Sequence, residues 1–255
     1  MIVQNLQSPI PIVRNINSCD EMKSLKLCFE SLLDDDDVFY GSNSDKKVIE
    51  SWIKDNYAIT GKLTISDDFV VDCDGEVEVK NENITSLTNG LFMWNNVGGC
   101  FNCSCCKKLK SLDGSPKKVN MGYYCNGCNS LTSLEGAPEK IGRNFYCDDC
   151  RKLTSLKGAP KKVTGDFVCS GCNKLTTLEG APEAVGGSFN CRKCSNLKTL
   201  EGAPEKIGRN FYCSNCNGLK SLDGAPKKIK GIFHCTGCKN LTITDSDREK
   251  YKIEN

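Results

Sequence analysis

Cysteine pairs separated by two residues recur along the chain, and thiolates in this spacing can bind a metal ion. The chain has 255 residues and 19 cysteines, of which fourteen form seven C-x-x-C pairs at intervals of 22 residues. The pairs are Cys103/Cys106, Cys125/Cys128, Cys147/Cys150, Cys169/Cys172, Cys191/Cys194, Cys213/Cys216 and Cys235/Cys238. Two successive pairs have the spacing of a four-cysteine zinc site. Zinc binding is therefore the first chemical hypothesis.

Packing of the cysteines in a hydrophobic core is the competing hypothesis. The pairs number seven, so they cannot all be grouped in twos, and they keep a fixed distance from leucine and valine positions that have no metal role. Free cysteine is often buried as a small hydrophobic residue. The sequence favours packing over zinc and predicts no metal and no cofactor. Disulfides between neighbouring coils remain a third alternative, because equivalent Cα atoms about 4.8 Å apart are within disulfide range.

Catalytic side chains are scarce. His234 is the only histidine, so the Ser/His/Asp and Cys/His arrangements have a single candidate base. Cys100 and Cys105 lie outside the paired cysteine positions and are predicted to be exposed, but His234 lies six repeats away. Paired carboxylates and a glycine-rich phosphate loop are not visible in the sequence. The prediction is that the protein is not an enzyme and has no catalytic residue.

The cysteine pairs belong to a repeat unit that positions them. One copy, 145–165, reads F-Y-C-D-D-C-R-K-L-T-S-L-K-G-A-P-K-K-V-T-G. A fixed period of this length indicates a solenoid. The aromatic residue and the first cysteine are two positions apart, so both point to one face of a short strand. The leucine and Val/Ile positions fill the coil, and Gly and Pro turn the chain.

The F-Y-C-D-D-C-R-K-L segment resembles the L-x-L-x-x-N/C-x-L strand of the leucine-rich repeat family, and L-T-S-L-x-G-A-P resembles half-repeats of short bacterial and bacteriophage members. The alternative register would place the strand on L-T-S-L. The resemblance covers about residues 75–243 and implies a mainly β fold, a right-handed parallel β-solenoid with a small α-helical N-terminal cap. It also implies a binding scaffold rather than an enzyme.

Four regions follow from this interpretation. Residues 1–60 form a helical capping region, 61–98 degenerate first coils, 99–243 seven repeats and 244–255 a charged tail. The first helix of the cap is predicted to begin at the S-x-x-E pattern of Ser18 and Glu21, and the second to run from Ser44 to near Asn56. Terminal coils of a solenoid are usually atypical because they cover an open core.

The residue between the aromatic residue and the first cysteine should face outward on the inner face of the solenoid. This position varies while the rest of the repeat is constant, and it collects tyrosine, which is common in recognition surfaces. An exposed strand position also suits tyrosine without any binding role. The predicted partner-binding residues at this position are Asn102, Tyr124, Tyr146, Asn190, Tyr212 and His234. Arg192 is added from the next outward position, which follows the first cysteine and also holds Ser104, Asn126, Asp148, Ser170, Ser214 and Thr236.

Charge is distributed unevenly. Residues 1–98 carry a net charge of −9, from 8 Lys/Arg and 17 Asp/Glu, whereas residues 99–255 carry +11, from 26 and 15. A basic lysine column could bind nucleic acid, but solvated lysines also keep a solenoid soluble. The sequence favours a protein partner over nucleic acid, with a zinc-loaded, nucleic-acid-binding repeat protein as the alternative. It makes no prediction of oligomeric state.

The location of the protein is predicted from its cysteines and its apolar runs. Free thiols and the lack of a visible signal peptide favour the cytoplasm, while the resemblance to secreted effector proteins leaves secretion open. No apolar run is long enough to cross a membrane, so no membrane association is predicted.

Overall fold

The fold is a stack of short parallel strands, described for residues 43–255 in a computed structural model. Helix α1 (Asn43–Asn56) comes first, close to the predicted bounds of the second helix. The helix predicted to begin at Ser18 lies outside the described residues. From residue 57 onward the chain winds as a parallel β-solenoid of about eight turns, so the predicted mainly β solenoid fold is confirmed.

Each coil contributes one strand to a first sheet. The order of this sheet, β1-β4-β6-β8-β10-β12-β14-β16-β18-β19, follows the chain. Its strands are β1 (Tyr57–Ile59), β4 (Val77–Val79), β6 (Phe101–Asn102), β8 (Tyr123–Tyr124), β10 (Phe145–Tyr146), β12 (Phe167–Val168), β14 (Phe189–Asn190), β16 (Phe211–Tyr212), β18 (Phe233–His234) and β19 (Ile253–Glu254). From β4 onward every pairing is parallel, in a register that places each aromatic residue beside the next. The F-x-C register of the strand, preferred over L-T-S-L, is therefore confirmed.

In the repeats, a second sheet lies after the G-A-P turn, where the sequence predicted no strand. Its first strands precede the repeats, where the alternation of Leu63 with Ile65 and of Val71 with Cys73 does predict strands. Its order is β17-β15-β13-β11-β9-β7-β5-β3-β2. Its strands are β2 (Leu63–Ile65), β3 (Val70–Cys73), β5 (Met93–Val97), β7 (Lys118–Val119), β9 (Lys140–Ile141), β11 (Lys162–Val163), β13 (Ala184–Val185), β15 (Lys206–Ile207) and β17 (Lys228–Ile229). In the repeats each of these strands has one residue facing the core and one facing solvent.

The core is built from columns of identical side chains. The aromatic rings stack nearly parallel from coil to coil, with centroids 5.2 Å apart at Phe145–Phe167 and 5.5 Å apart at Phe189–Phe211. The first leucine of each coil from Leu109 to Leu219 and the first cysteines from Cys103 to Cys213 are fully buried. Each coil covers the apolar side chains of its neighbour, which is why stability requires several stacked copies.

The N-terminal end of this core is covered by α1 and the irregular first coils. Ile49 and Ile53 of the helix are buried, and the Tyr57 hydroxyl donates a hydrogen bond to the Leu87 carbonyl. Within 61–98, β4 already pairs in parallel with β6, as a coil should, while β2 pairs antiparallel with β3. β1 also pairs antiparallel with β4, so this end combines solenoid pairing with two antiparallel pairings.

The C-terminal end has structure that the sequence interpretation, a charged tail at 244–255, did not include. Helix α2 (Asp245–Lys250) begins with a capping box in which Thr244 and Asp247 bond each other's backbone N–H. The chain then adds β19 to the edge of the first sheet, parallel to β18. Tyr251 is buried and its hydroxyl donates to the Pro226 carbonyl at 2.7 Å. This segment covers the last coil.

Candidate binding surface

Six of the seven predicted binding residues lie in one line along the first sheet. We call this line the tyrosine column: Asn102, Tyr124, Tyr146, Val168, Asn190, Tyr212 and His234. Parallel in-register pairing places equivalent residues side by side at about the strand spacing, about 4.8 Å. Arg192 lies two residues beyond the column and reaches back to it. All of these side chains are half-buried, because each packs against its neighbour along the column.

Two tyrosines near the N-terminal end of the column form an aromatic pair. The rings of Tyr124 and Tyr146 meet edge to face, with centroids 5.3 Å apart. The Tyr124 ring folds back over Gly122, where a Cβ atom would lie 2.5 Å from the phenol oxygen. Partial burial raises the pKa of both phenols, and Cys100 adds to the effect at Tyr124. The two hydroxyls are therefore neutral hydrogen-bonding groups near neutral pH.

A second cluster lies at the C-terminal end of the column. The Arg192 guanidinium sits 4.1 Å from the centre of the Tyr212 ring, and His234 stacks on Tyr212 with centroids 4.5 Å apart. The Tyr212 hydroxyl accepts a hydrogen bond of 2.7 Å from the Asn210 side chain. His234 Nδ1 lies 2.9 Å from a Glu254 carboxylate oxygen. Tyr212 is thus covered on both faces, so the edge of its ring and Arg192 are what a partner could contact.

Sequence reasoning identified the polar column that borders the tyrosine column, but it missed Glu254. Glu254 enters the cluster because β19 pairs with β18, and the only sequence signal for that was the T-x-x-D capping pattern at Thr244. The polar side chains two residues beyond the column bond along the stack. Ser104 Oγ donates to Asn126 Oδ1 at 2.7 Å, and Ser170 Oγ donates to Asn190 Oδ1 at 2.9 Å. These bonds fix the border of the surface.

An open groove adjoins the first coil of the tyrosine column. Its lining residues are Glu78, Lys80, Glu82, Asn102, Ser104 and Cys105. Cys105 is exposed, as predicted, while Cys100 is half-buried. The groove is polar and of mixed charge.

The paired cysteines are core residues, and their thiols have a bonding role of their own. The second cysteine of each coil donates its S–H to the carbonyl of the first cysteine of the preceding coil, at 3.1 to 3.3 Å. The donors are Cys128, Cys150, Cys172, Cys194, Cys216 and Cys238. Burial raises the pKa of Cys147 and Cys172 well above the usual thiol value. Cys147 and Cys172 therefore stay protonated near neutral pH.

The state of the described cysteines bears on both the zinc and the disulfide hypotheses. All described cysteines are free thiols. Among residues 43–255, no three His, Cys, Asp or Glu side chains converge in a way that could hold a metal ion. That the protein binds no zinc stays a prediction, which metal analysis of the purified protein would test.

Among residues 43–255, no helix is long and apolar enough to cross a membrane.

The structure defines the general class of the chain, a repeat protein built as a β-solenoid with a period of about 22 residues. No family model, no curated protein and no solved structure matches the chain. The solenoid scaffold fits a binding role.

Proposed function

We propose that the protein is a non-enzymatic scaffold that binds a protein partner through the tyrosine column. The observation that carries the proposal is the Tyr124–Tyr146 pair, two large half-exposed rings at positions that the repeat leaves free to vary. The buried aromatic, cysteine and leucine columns are complete without them. Side chains that are not needed for the core but offer contact area and a hydroxyl are suited to recognition.

The rigidity of the surface supports the proposal. The tyrosine column stands on a parallel sheet whose backbone is bonded on both sides in each coil, for example by the Cys147 N–H to Val168 O and the Cys125 N–H to Tyr146 O, both 2.8 Å. A partner therefore meets side chains that are already ordered, which lowers the entropy lost on binding.

The proposed scaffold needs no catalytic residue and no bound zinc. His234 pairs with Glu254 and stacks on Tyr212, which is a structural use of the only imidazole. The second cysteines donate S–H bonds to core carbonyls, and burial raises the pKa of Cys172, which bonds the Cys147 carbonyl, whereas a zinc ligand must be a thiolate.

Binding by the tyrosine column predicts a specific pattern among variants. Tyr146→Ala should leave the circular dichroism melt nearly unchanged and weaken binding of the partner by about 1–3 kcal/mol, roughly 5- to 150-fold, if the ring is an anchor. The partner is obtained by affinity capture from the native cell with the full chain as bait. Affinity is then measured by calorimetry with purified components.

Lys162→Ala is the matched control, since Lys162 is exposed in the same coil but lies on the second sheet. It should change the affinity less than threefold. Equal affinities for wild type and Tyr146→Ala, or a larger loss in Lys162→Ala, would place recognition on another face and end the proposal.

A further inference from the structure

The outer face of the second sheet carries two neighbouring columns of charged residues, one with both signs of charge and one with almost only positive charge. The first, the alternating column, changes sign from coil to coil except between Glu183 and Glu205. It consists of Lys117, Glu139, Lys161, Glu183, Glu205 and Lys227. The second, the lysine column, is the outward residue of each strand and keeps one sign, apart from Ala184 in the fourth coil. It consists of Lys118, Lys140, Lys162, Lys206 and Lys228.

The alternating column can neutralise itself. Lys227 Nζ lies 2.6 Å from Glu205 Oε1, one coil away. Opposite charges side by side on neighbouring strands attract, and like charges repel. A column of alternating sign therefore needs no external counterion.

The lysine column has no neighbouring charges of opposite sign within it. Lys118 pairs in register with Lys140, and Lys206 with Lys228, so like charges stand beside each other about one strand spacing apart. Among the residues that the structure describes, none of the five ammonium groups has a carboxylate within ion-pair distance. All five side chains are exposed. The pKa of Glu205 is lowered mainly by Lys227 and to a lesser degree by Lys206, but within the described part of the chain none of the five lysines forms an ion pair and their like charges repel each other.

The surroundings of the lysine column are basic as well. The six segments that carry the second-sheet strands of the repeats contain eleven Lys and Arg against three Glu and no aromatic residue. They are residues 117–121, 139–143, 161–165, 183–187, 205–209 and 227–231. Arg143 and Arg209 extend the positive charge to the turn that leads to the first sheet. Much of the positive charge of residues 99–255 is thus gathered on one side of the solenoid.

We propose that the lysine column binds the phosphate backbone of duplex nucleic acid without reading its sequence. A straight array of like charges matches a linear polymer of anions better than a single ligand. Single-stranded nucleic acid is bound by stacking on aromatic rings, and this face has none. Insertion into a membrane needs exposed apolar residues, and among the described side chains the large one that is exposed is Val48, on α1. Duplex phosphates need only positive charge.

The size of the contact follows from the strand spacing. Six strands span five intervals of about 4.8 Å, or about 24 Å. At about 3.4 Å per base pair this covers about seven base pairs. Five lysines that each neutralise one phosphate predict a slope of log K against log salt of about −4.5. Because no base edge is contacted, random-sequence duplexes of equal length should bind alike.

The experiment uses the full chain and a fluorescent random-sequence DNA duplex of about 24 base pairs. Binding is measured by fluorescence anisotropy between about 25 and 200 mM NaCl. We expect micromolar binding at low salt and a slope steeper than about −3. The double variant Lys140→Glu, Lys162→Glu should bind at least about tenfold more weakly. The control Lys152→Glu, Lys174→Glu makes the same change of net charge at exposed residues outside both sheets. It should lose less than about threefold.

Three results would overturn the inference. The first is no duplex binding at 25 mM NaCl. The second is an equal loss in the two double variants, which would reflect net charge and not the lysine column. The third is stronger binding to vesicles containing phosphatidylserine than to the duplex, with loss in the Lys140/Lys162 variant, which would make a membrane surface the partner. No protein partner is present in the assay, so its outcome does not depend on the proposed function.

Discussion

Raising the pH from 7 to 10 is expected to lower the free energy of unfolding of the solenoid by about 8 kcal/mol, because its core holds thiols that must stay protonated. The pKa of six buried cysteines is raised well above the model-compound value of 9.0. They are Cys125, Cys147, Cys169, Cys172, Cys191 and Cys213. Burial is the main cause at four of them, and the thiol of the following coil is the main cause at Cys169 and Cys213.

The stability falls at high pH because the buried thiols ionise readily only in the unfolded chain. The unfolded chain loses its thiol protons above about pH 9, while the folded chain keeps them. The stability that these thiols contribute is therefore complete below pH 9 and is lost as the pH rises beyond it. At pH 10 the loss is about 1.4 kcal/mol for each thiol and about 8 kcal/mol for six. This is comparable to the whole free energy of unfolding of a typical domain, about 5–15 kcal/mol.

The measurement is the free energy of unfolding in urea at pH 7, 8, 9 and 10 with reductant present, followed by circular dichroism. Cys147→Ala is the control. It should lose about 1 kcal/mol or somewhat more at pH 7 through lost packing, and its stability should then fall less steeply above pH 9, by up to about 1.4 kcal/mol per pH unit. A flat profile between pH 8.5 and 10, or identical slopes for the two proteins, would refute the assignment of Cys147 as a buried protonated thiol.

Gly158→Ala is expected to destabilise the solenoid by about 3 kcal/mol or more. Gly158 follows the second leucine of its coil and has φ +92°, a region that L-residues avoid. An added Cβ would lie 2.4 Å from both the Glu135 nitrogen and the Leu134 carbonyl carbon of the preceding coil. Neither backbone atom can move without separating the two coils. The loss combines left-handed strain of about 1–2 kcal/mol with this clash.

Gly90→Ala separates the two contributions. Gly90 also has a positive φ, +72°, but a Cβ there would meet nothing within 4 Å. Its loss should be about 1 kcal/mol, from backbone strain alone. Urea midpoints of the two variants give the comparison. Equal losses would mean that coils can separate at Gly158 without cost, contrary to the close stacking described above.

The repeat made much of the fold predictable. The 22-residue period predicts stacked coils, and the F-x-C spacing predicts the first-sheet strand, because a residue pair of period two and a constant aromatic position leave few alternatives. The burial of the cysteine, leucine and Val/Ile columns followed from the same reasoning. Because the same residue pattern recurs in seven copies, a strand signal that is weak in one copy becomes strong.

The second sheet and the C-terminal cap could not be predicted in the same way. A strand of two residues, such as Lys162–Val163, is too short to show alternation, and its outward lysine reads as a turn residue after Pro160. The cap at Thr244–Glu254 occurs once, so no repetition supported it. The stacking of Tyr212 on His234 depends on side-chain rotamers, which the sequence pattern does not specify.

Counting reactive thiols tests the central claim, that the cysteine columns from Cys103 to Cys235 are free thiols packed in the core of a solenoid. A chain with Cys19→Ser and Cys28→Ser retains the seventeen described cysteines. Ellman's reagent at neutral pH, with a zinc-sensitive dye present, should react quickly only with the solvent-accessible thiols Cys100, Cys105 and Cys238, and the neighbouring Cys213 thiol lowers the pKa of Cys238 to about 7. After unfolding in guanidinium without reductant, all seventeen should react and no zinc should be released. Rapid reaction of most thiols in the folded protein, a deficit after unfolding, or stoichiometric zinc would contradict the account.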